Sequence, residues 1–286
     1  MLASNHPNSF LDSVIMDTLF KQPIWSLARG DVFKNKTAIR LLTAMKILPV
    51  YRTSEGVENL AENYKTFDDC IDLFRKNAVI MIFSEGKCIN EWHLRPLKKG
   101  TARLAIKAWQ ENIPLKVLPV GINYSSFRRF GKNMIINFGE VIRKEDVRID
   151  EAEGLRHQAF NNKLQQQFKH LVFEIPTTDK QKQKQLLEIK PSLLKQILLA
   201  IPAVMGFALH APLYLPVKSF TWKRTYNNDH FDSIMTGILL FSYPFYALFL
   251  CMLLFIFIKS AYVFLLLLIL PFTAWSYVQL KPQLDR

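Results

Sequence analysis

The sequence predicts an α/β fold with a mostly parallel sheet flanked by helices, followed by C-terminal transmembrane helices. Two observations predict it. Over residues 1–142, short apolar runs alternate with stretches whose apolar residues recur at helical spacing, which is typical of parallel strands joined by helices. Residues 234–258 and 260–279 are apolar runs without an internal charge, and each is long enough to cross the hydrocarbon core of a bilayer.

The elements of the α/β part follow from the spacing of apolar residues. Steps of three and four, clearest at Leu60, Tyr64 and Phe67, indicate an amphipathic helix. The predicted strands are 24–29, 47–51, 78–83, 116–124 and 133–138, and the predicted helices are 10–20, 36–45, 57–74, 100–110 and 151–174. In parallel sheets of this kind, sites form at the carboxyl ends of the strands, so we expect functional residues there.

The remainder of the chain predicts a membrane-associated part. Residues 176–192 are rich in Lys and Gln and predict a polar linker. Residues 193–216 are apolar but contain three prolines, so we expect a membrane-associated or re-entrant segment, with a third full span as the alternative. Residues 217–233 are predicted as a polar loop, and 234–258 and 260–279 as transmembrane helices.

Charge predicts the orientation in the membrane. The cations near the spans are Lys218, Lys223 and Arg224 before them, Lys259 between them, and Lys281 and Arg286 after them. The positive-inside rule places both flanking groups and the α/β domain in the cytoplasm, with Lys259 outside. The net charge of +13 favours an anionic membrane surface as the partner. Nucleic acid is not expected, because the chain has no nucleic-acid-binding motif.

The three cysteines predict neither disulfides nor metal binding. Cys70, Cys88 and Cys251 are widely spaced, without a C-x-x-C or another metal-ligand pattern. Cys88 lies among polar residues of interest and is interpreted as a bystander. We therefore expect a protein without structural metal.

An imidazole and a carboxylate lie close together near the start of the chain, at His6 and Asp12. Neutral histidine is suited to take a proton from an alcohol near pH 7, and a carboxylate can orient it. Pro7, with Asn8 or Ser9 as N-cap, would leave His6 on a turn and Asp12 in the first helical turn, so that the side chains converge. Alternatively, Ser9 and Asp12 form a capping box and Asp12 is purely structural.

A second polar group follows the predicted strand 78–83. It consists of Ser84, Glu85, Gly86 and Lys87, and Lys98 and Lys99 precede the next predicted helix. Because this strand and the segment before His6 are both expected in the sheet, the two groups can meet at one edge. The alternative for the lysines is a basic face on anionic lipid.

Four short blocks in one order resemble the glycerolipid acyltransferases, the family that includes lysophosphatidic acid acyltransferase. The blocks are Asn5-His6 with Asp12, Leu48-Pro49-Val50-Tyr51-Arg52, Phe83-Ser84-Glu85-Gly86, and Val117-Leu118-Pro119-Val120. Each block is weak alone, and their order and separation over residues 1–142 carry the resemblance. The resemblance implies an acyltransferase-like α/β domain over residues 1–175.

The resemblance also implies the chemistry. A fatty acyl group passes from acyl-CoA or acyl carrier protein to the hydroxyl of a (lyso)glycerophosphate acceptor in phospholipid biosynthesis, without a metal or a further cofactor. His6 is implied as the base and Asp12 as the residue that orients it. Arg52 is implied to bind acceptor phosphate, although a solvated charge at a strand end is the alternative.

For the second polar group, the resemblance implies contact with the acceptor. Glu85 and the Gly86 backbone would position its hydroxyls, and Lys87, Lys98 and Lys99 would add positive field.

Departures from the family pattern leave the acceptor open. Five residues separate His6 from Asp12 where four are usual, Ser84 replaces a proline, and Lys87-Cys88 stands where Thr-Arg is common. Glycerol 3-phosphate or a lyso-aminolipid are therefore alternative acceptors. A protein of another class, an inactive lipid-binding membrane protein, is the second alternative.

Family members usually carry a helical segment and a strand before the histidine block. His6 leaves little room for them, so two interpretations of Met1 stay open: the true start, or an internal methionine of a longer protein.

Overall fold

The computed structural model of the protein describes residues 1–51, 60–147 and 152–284, with the side chains of 60–62 outside the description. The chain forms two compact units. The first, the α/β unit, comprises Met1–Asn123 and Ile135–Thr177. The second, the helical unit, comprises Tyr124–Met134 and Thr178–Arg286. Each is described by itself.

Six strands of the described residues form one sheet. They are β1 (Leu2–Ser4), β2 (Ile24–Arg29), β3 (Ile47–Val50), β4 (Val79–Phe83), β5 (Leu118–Tyr124) and β6 (Met134–Phe138), in the order β3-β2-β4-β1-β5-β6. Neighbours among the first five strands pair in parallel. The β6 strand runs antiparallel to β5, because Gly139 N–H donates to the Pro119 carbonyl while Ser125 N–H donates to that of Asn133. The predicted, mostly parallel α/β fold is confirmed.

Five α-helices lie in the described part of the α/β unit. They are α1 (Phe10–Leu19), α2 (Lys36–Ala44), α3 (Leu60–Arg75), α4 (Lys99–Gln110) and α5 (Glu153–Leu171). The α5 helix packs because Phe160, Leu164 and Phe168 recur at steps of four and are fully buried. Phe160 meets the buried Trp109 of α4 with ring centroids 5.9 Å apart. Burial of each such side chain contributes roughly 1.5–3 kcal/mol, so this contact anchors α5.

The register of the sheet sets which loops meet. Ser4 of β1 pairs with Phe83 of β4, and the Ser84 N–H donates to the Ser4 carbonyl at 2.8 Å. Because these strands are parallel, the segments that begin at Asn5 and Glu85 leave the sheet at the same edge. The sheet thereby brings the two polar groups of the sequence together.

Most predicted elements occur within three residues of their expected bounds, and strand 24–29 is found as predicted. The segment before His6, which was expected in the sheet, is the strand β1, and its three residues are too few to predict bounds from a hydrophobic period. The start of the helix predicted from residue 57 lies outside the described residues.

The helical unit contains α6 (Lys180–Leu187), α7 (Leu193–Thr225), α8 (Phe231–Ile258), a 3₁₀ segment (Ala261–Leu265) and α9 (Leu266–Leu280). Three of its stretches are long and apolar enough to cross a membrane: Leu193–Thr225, Phe231–Ile258 and Ala261–Leu280. This agrees with the predicted transmembrane helices.

The structure differs from the sequence prediction at three places between residues 176 and 233. The segment 176–192, predicted as a linker, includes α6, whose first turn is capped by the Asp179 side chain accepting from Lys182 N–H at 2.9 Å. The apolar segment 193–216 belongs to one helix that continues through three prolines to Thr225. The loop predicted over 217–233 is correspondingly shorter.

A proline leaves the helix carbonyl four residues earlier without its N–H partner, and side chains can restore such bonds. For Pro212 this is the Ala208 carbonyl, and the Tyr246 hydroxyl of α8 donates to the next carbonyl along the chain, that of Leu209, at 2.6 Å. The neighbouring His210 shares a 3.2 Å hydrogen bond with Tyr243. These contacts join α7 to α8 in the turn before Pro212.

The hairpin tip between β5 and β6 belongs to the helical unit, although the sequence indicated the α/β domain. Arg128 lies over the Trp222 ring at 4.7 Å, and Ser125 Oγ donates to the Gln283 carbonyl at 3.2 Å. Lys132 forms a buried ion pair with Asp232. These are long-range contacts, which no local pattern indicates.

Candidate active site

The loop after β1 is fixed to the neighbouring strand by one side chain. Asn5 is buried, and its amide donates to the Ile122 carbonyl at 3.0 Å while its oxygen accepts from the Ile122 N–H at 2.8 Å. The side chain therefore extends the hydrogen bonding of β1 to β5 by one residue. This holds the backbone from which His6 projects.

His6 and Asp12 meet as the sequence predicted. His6 Nδ1 lies 2.8 Å from Asp12 Oδ2, and the same oxygen accepts from the Asn8 N–H at 2.9 Å. The Asp12 side chain is fully buried and that of His6 is 15% exposed. The extra residue between His6 and Asp12 does not separate them.

Asp12 also has a structural role, although not through the capping box with Ser9 that was the alternative. Ser9, at the N-cap of α1, has a φ of 56° and makes no side-chain cap hydrogen bond. Asp12 instead reaches back to Asn8, so its carboxylate both fixes the turn before α1 and holds the imidazole. The residue is structural and orienting at once.

This pairing determines the tautomer of His6. An ionised carboxylate only accepts hydrogen bonds, so Nδ1 carries the proton and Nε2 keeps its lone pair. The ring stacks on Phe83 with centroids 3.8 Å apart and an interplanar angle of 15°. Phe83 and Asp12 together fix both the plane and the rotation of the ring, as a general base requires.

Glu85 holds two loops together. Its Oε2 accepts from the His6 N–H at 2.8 Å and its Oε1 accepts from the Arg95 N–H at 2.9 Å. The residue is only 4% exposed. Burial raises the pKa of the Glu85 carboxyl, and the two backbone hydrogen bonds oppose that rise. Contact between Glu85 and acceptor hydroxyls stays a prediction.

The residues on either side of Glu85, Ser84 and Gly86, are each suited to their position by the surrounding structure. Gly86 has a φ of 67°, and a Cβ there would lie 3.0 Å from Lys98 Cγ, which favours glycine. Ser84, in place of the family's proline, is buried and accepts at Oγ from the Thr101 hydroxyl at 3.0 Å. Its carbonyl accepts from the Lys98 N–H at 2.7 Å, so this departure ties the site to the start of α4.

The four cations that were predicted to contact substrate are less well defined by the structure than the residues around His6. Lys87, Lys98 and Lys99 are exposed, and none forms an ion pair with another described residue. Lys98 lies directly before α4, beside Gly86. Arg52 lies outside the described residues. The substrate contacts of these four cations stay predictions.

Two hydrogen bonds hold the loop around Cys88 against the loop around His6, although the sequence predicted Cys88 to be a bystander. Cys88 Sγ accepts from the Ser9 N–H at 2.9 Å, and the Asn90 amide donates to the Pro7 carbonyl at 2.7 Å. These contacts join residues more than 70 apart, so no local sequence pattern predicts them. Among the described residues, no three His, Cys, Asp or Glu side chains gather as a metal site requires.

The chain is similar to known proteins over part of its length. Residues 1–123 match the family model described as "Acyltransferase", which confirms the predicted resemblance over this part of the chain. Among solved structures, the chain is similar to the 1-acyl-sn-glycerophosphate (LPA) acyltransferase PlsC from Thermotoga maritima, with 12% identity and a TM-score of 0.40. The match covers 59% of this chain and 65% of that one, slightly less than two thirds of its length. No curated protein matches the sequence.

Proposed function

We propose that the chain is a membrane-bound O-acyltransferase that moves a fatty acyl group from a thioester to the hydroxyl of a (lyso)glycerophosphate acceptor. One observation carries the proposal: within the acyltransferase domain, His6 Nδ1 lies 2.8 Å from the buried Asp12 carboxylate. An inert lipid-binding protein has no need of a base held in this way. The pair therefore favours the enzyme over the inactive alternative.

The proposed reaction needs one base and no acyl-enzyme. His6 Nε2 takes the proton of the acceptor hydroxyl as its oxygen attacks the thioester carbonyl carbon. The carbon–sulfur bond then breaks, the ester remains on the acceptor, and the leaving thiolate takes the proton back from the imidazolium. Asp12 stabilises the imidazolium between the two transfers through a charge-assisted hydrogen bond.

The proposed substrates follow from charge and from the family. Arg52 would grip acceptor phosphate in a bidentate manner, and the exposed Lys87, Lys98 and Lys99 would attract the phosphates of acceptor and donor. Acyl-CoA and acyl carrier protein both carry a phosphate-bearing thioester arm and are the candidate donors. This route uses neither a metal nor a further cofactor.

The proposed orientation places the acyltransferase domain in the cytoplasm. It rests on the positive-inside rule applied to α8 and α9 as the spanning pair, which puts the exposed Lys259 outside. A membrane-impermeant thiol reagent should then label a Lys259→Cys variant in intact cells, whereas the three native cysteines are buried. If α7 also spans, Lys259 lies on the same side as the acyltransferase domain and stays unlabelled.

The activity is tested with the full chain in membranes, a labelled acyl thioester and a panel of acceptors. We expect transfer to a lysophosphatidate-type acceptor, and His6→Ala should lower it by ~10²–10⁴-fold, the usual cost of losing a general base. His93→Ala is the matched control, because His93 is exposed and pairs with Glu174. Near-normal turnover of His6→Ala would overturn the mechanism. Transfer only to glycerol 3-phosphate or a lyso-aminolipid would reassign the acceptor.

A further inference from the structure

The two faces of the sheet in the α/β unit are covered by different helices. Parallel crossovers are right-handed, so connections that run in opposite directions along the sheet lie on opposite faces. In the strand order β3-β2-β4-β1-β5-β6, α1 and α2 lead towards β3, whereas α3 and α4 lead towards β6. The helices α1 and α2 therefore share one face, and α3 and α4 share the other, where α4 also packs against α5.

The face that carries α1 and α2 exposes more apolar side chains than the other. Among the described side chains of α3, α4 and α5, the exposed large hydrophobic residues are Tyr64 and Leu155. The shorter helices α1 and α2, with the residue that caps the end of α2, expose Phe10, Val14, Leu19, Ile39, Leu41 and Met45. Exposed apolar side chains gathered on one side of a unit mark an interaction surface.

The exposed apolar side chains of α1 and α2 lie in rows along the helices. Phe10 and Val14 are one helical turn apart on α1, on the side away from the buried Asp12. Leu41 and Met45, which are 60% and 50% exposed, are likewise one turn apart at the end of α2. No residue of α2 is buried. The described part of the chain therefore leaves these rows uncovered.

The charged residues of α2 are cations. Lys36 and Arg40 are exposed, lie one turn apart and form no ion pair with another described residue, and the exposed Lys34 precedes the helix. The nearest carboxylate in the sequence, Asp31, is bound by Arg29. The helix thus combines an apolar side with a basic side, which is the pattern of helices that lie in the surface of an anionic membrane.

We propose that this face of the α/β unit docks on the surface of a bilayer that contains anionic lipids. We call it the α1/α2 face, and it consists of Phe10, Val14, Leu41 and Met45 with the cations Lys36 and Arg40. The two helices have only ten and nine residues, about half of the ~20 that cross a membrane, so they lie along its surface. The proposal goes beyond acyl transfer, because it assigns a membrane contact to the α/β unit and uses none of the proposed catalytic or substrate-binding residues.

Two observations favour a bilayer over a second copy of the chain as the partner of the α1/α2 face. The same chain contains three stretches that are long and apolar enough to cross a membrane, so lipid is available to the α/β unit. The net charge of the chain is +13, so the cations of α2 would be repelled by a second copy but attracted by the phosphates of anionic lipid. Since α1 also carries Asp12, docking would hold the His6–Asp12 pair close to the lipid surface.

The test measures the depth of single positions of the full chain in a membrane. Leu41→Cys and Val14→Cys are labelled with an environment-sensitive fluorophore, which the three native cysteines escape because they are buried. The protein is reconstituted into vesicles of phosphatidylcholine and phosphatidylglycerol that contain nitroxide-labelled lipids as quenchers. We expect both labels to be quenched at a depth of about 5–10 Å into the boundary between headgroups and acyl chains, as for helices that lie in this boundary.

A matched control places the same label on another helix of the α/β unit. Leu155→Cys, in α5, replaces a residue that is 54% exposed, close to the 60% of Leu41, and its label should stay unquenched. Equal quenching at Leu41→Cys and Leu155→Cys, or none at either position, would overturn the proposal. A label at Leu41→Cys that is shielded from water but not quenched by lipid would mean that another protein surface covers the face, and would overturn the bilayer as its partner.

The contribution of charge is tested in the same vesicles. Lys36→Gln/Arg40→Gln should lower the ratio of quenched to unquenched label at Leu41→Cys by about 10- to 30-fold, given the usual contribution of a cation near anionic lipid. Lys76→Gln/Lys169→Gln removes two exposed cations after α3 and in α5, and should change the ratio less than about twofold because of screening. Equal losses in both double variants would mean diffuse attraction and would overturn the assignment of anionic lipid to this face.

The readout does not depend on catalysis. In His6→Ala, the label at Leu41→Cys should be quenched as in the otherwise unchanged protein. A failure of the proposed acyl transfer is therefore distinguishable from a failure of docking.

Discussion

Around His6, the buried carboxylates of Asp12 and Glu85 each accept N–H groups at 2.8–2.9 Å, so the acidic groups there are satisfied within the protein. Around Lys281, the charges of Arg129 and Lys218 add to burial in lowering the pKa of the lysine to about 8. The first arrangement fixes a side chain in one orientation, which suits proton transfer. The second places like charges close together, which disfavours the protonated form of the lysine. The predictions below test this difference.

The largest effect is expected at Asp12. Asp12→Ala removes the acceptor of both His6 Nδ1 and the Asn8 N–H, so kcat should fall by ~10²–10⁴-fold. Asp12→Asn retains an oxygen that both donors can share but loses the charge, and its kcat should lie between those of Ala and the wild type. Steady-state kinetics at saturating acceptor checks both variants. Unchanged kcat in Asp12→Ala would mean that His6 needs no orienting partner.

Glu85 should affect both turnover and stability. In Glu85→Gln, the amide nitrogen faces the N–H of either His6 or Arg95, so one hydrogen bond is lost and two donors meet. We expect kcat to fall about tenfold, together with a lower Tm in thermal unfolding. Glu91→Gln, which alters only the partly exposed pair with Arg95, is the control. A raised acceptor KM with unchanged Tm would instead indicate direct contact between Glu85 and the acceptor.

Variants at Arg52 should affect acceptor binding without affecting the helical unit. Arg52→Ala should raise the acceptor KM about tenfold or more with little change in the donor KM, and Arg52→Lys should recover only part of it. Lys218→Gln, in the helical unit, should leave the acceptor KM unchanged. Equal effects of Arg52→Ala on both KM values would point to a structural role.

The smallest effect is a pH dependence of stability. The folded-state pKa of Lys281 is about 8, below its ordinary 10.5, so protonation favours the unfolded state. Arg129 and Lys218 face it as charges, and Tyr214 and Tyr277 lie nearby. Stability should therefore rise between about pH 8 and pH 10 and be lost as pH falls through 8.

Thermal unfolding of the full chain in neutral detergent checks this pH dependence. Lys281→Met should reduce the rise. An identical rise in Lys281→Met would assign it to other groups.

Much of the α/β unit was predictable because its signals are local. The helical spacing and short apolar runs located the strands and helices, and the blocks at His6 and Glu85 pointed to one sheet edge. The roles of Asn5, Ser84 and Cys88 were not predictable. Each acts through a contact with a residue far away in the sequence, at Ile122, Thr101 and Ser9 respectively.

By itself, the sequence determined the alternation of strands and helices, the apolar C-terminal helices and the residue types of a base–carboxylate pair. All of these features depend on residues that are close to one another in the sequence. Only the tertiary structure decided that Asp12 binds His6 across five intervening residues, that Glu85 joins two loops, and that Arg129 donates to the Pro282 carbonyl. Such contacts depend on strand register and chain reversal, which bring distant residues together and leave no period in the sequence.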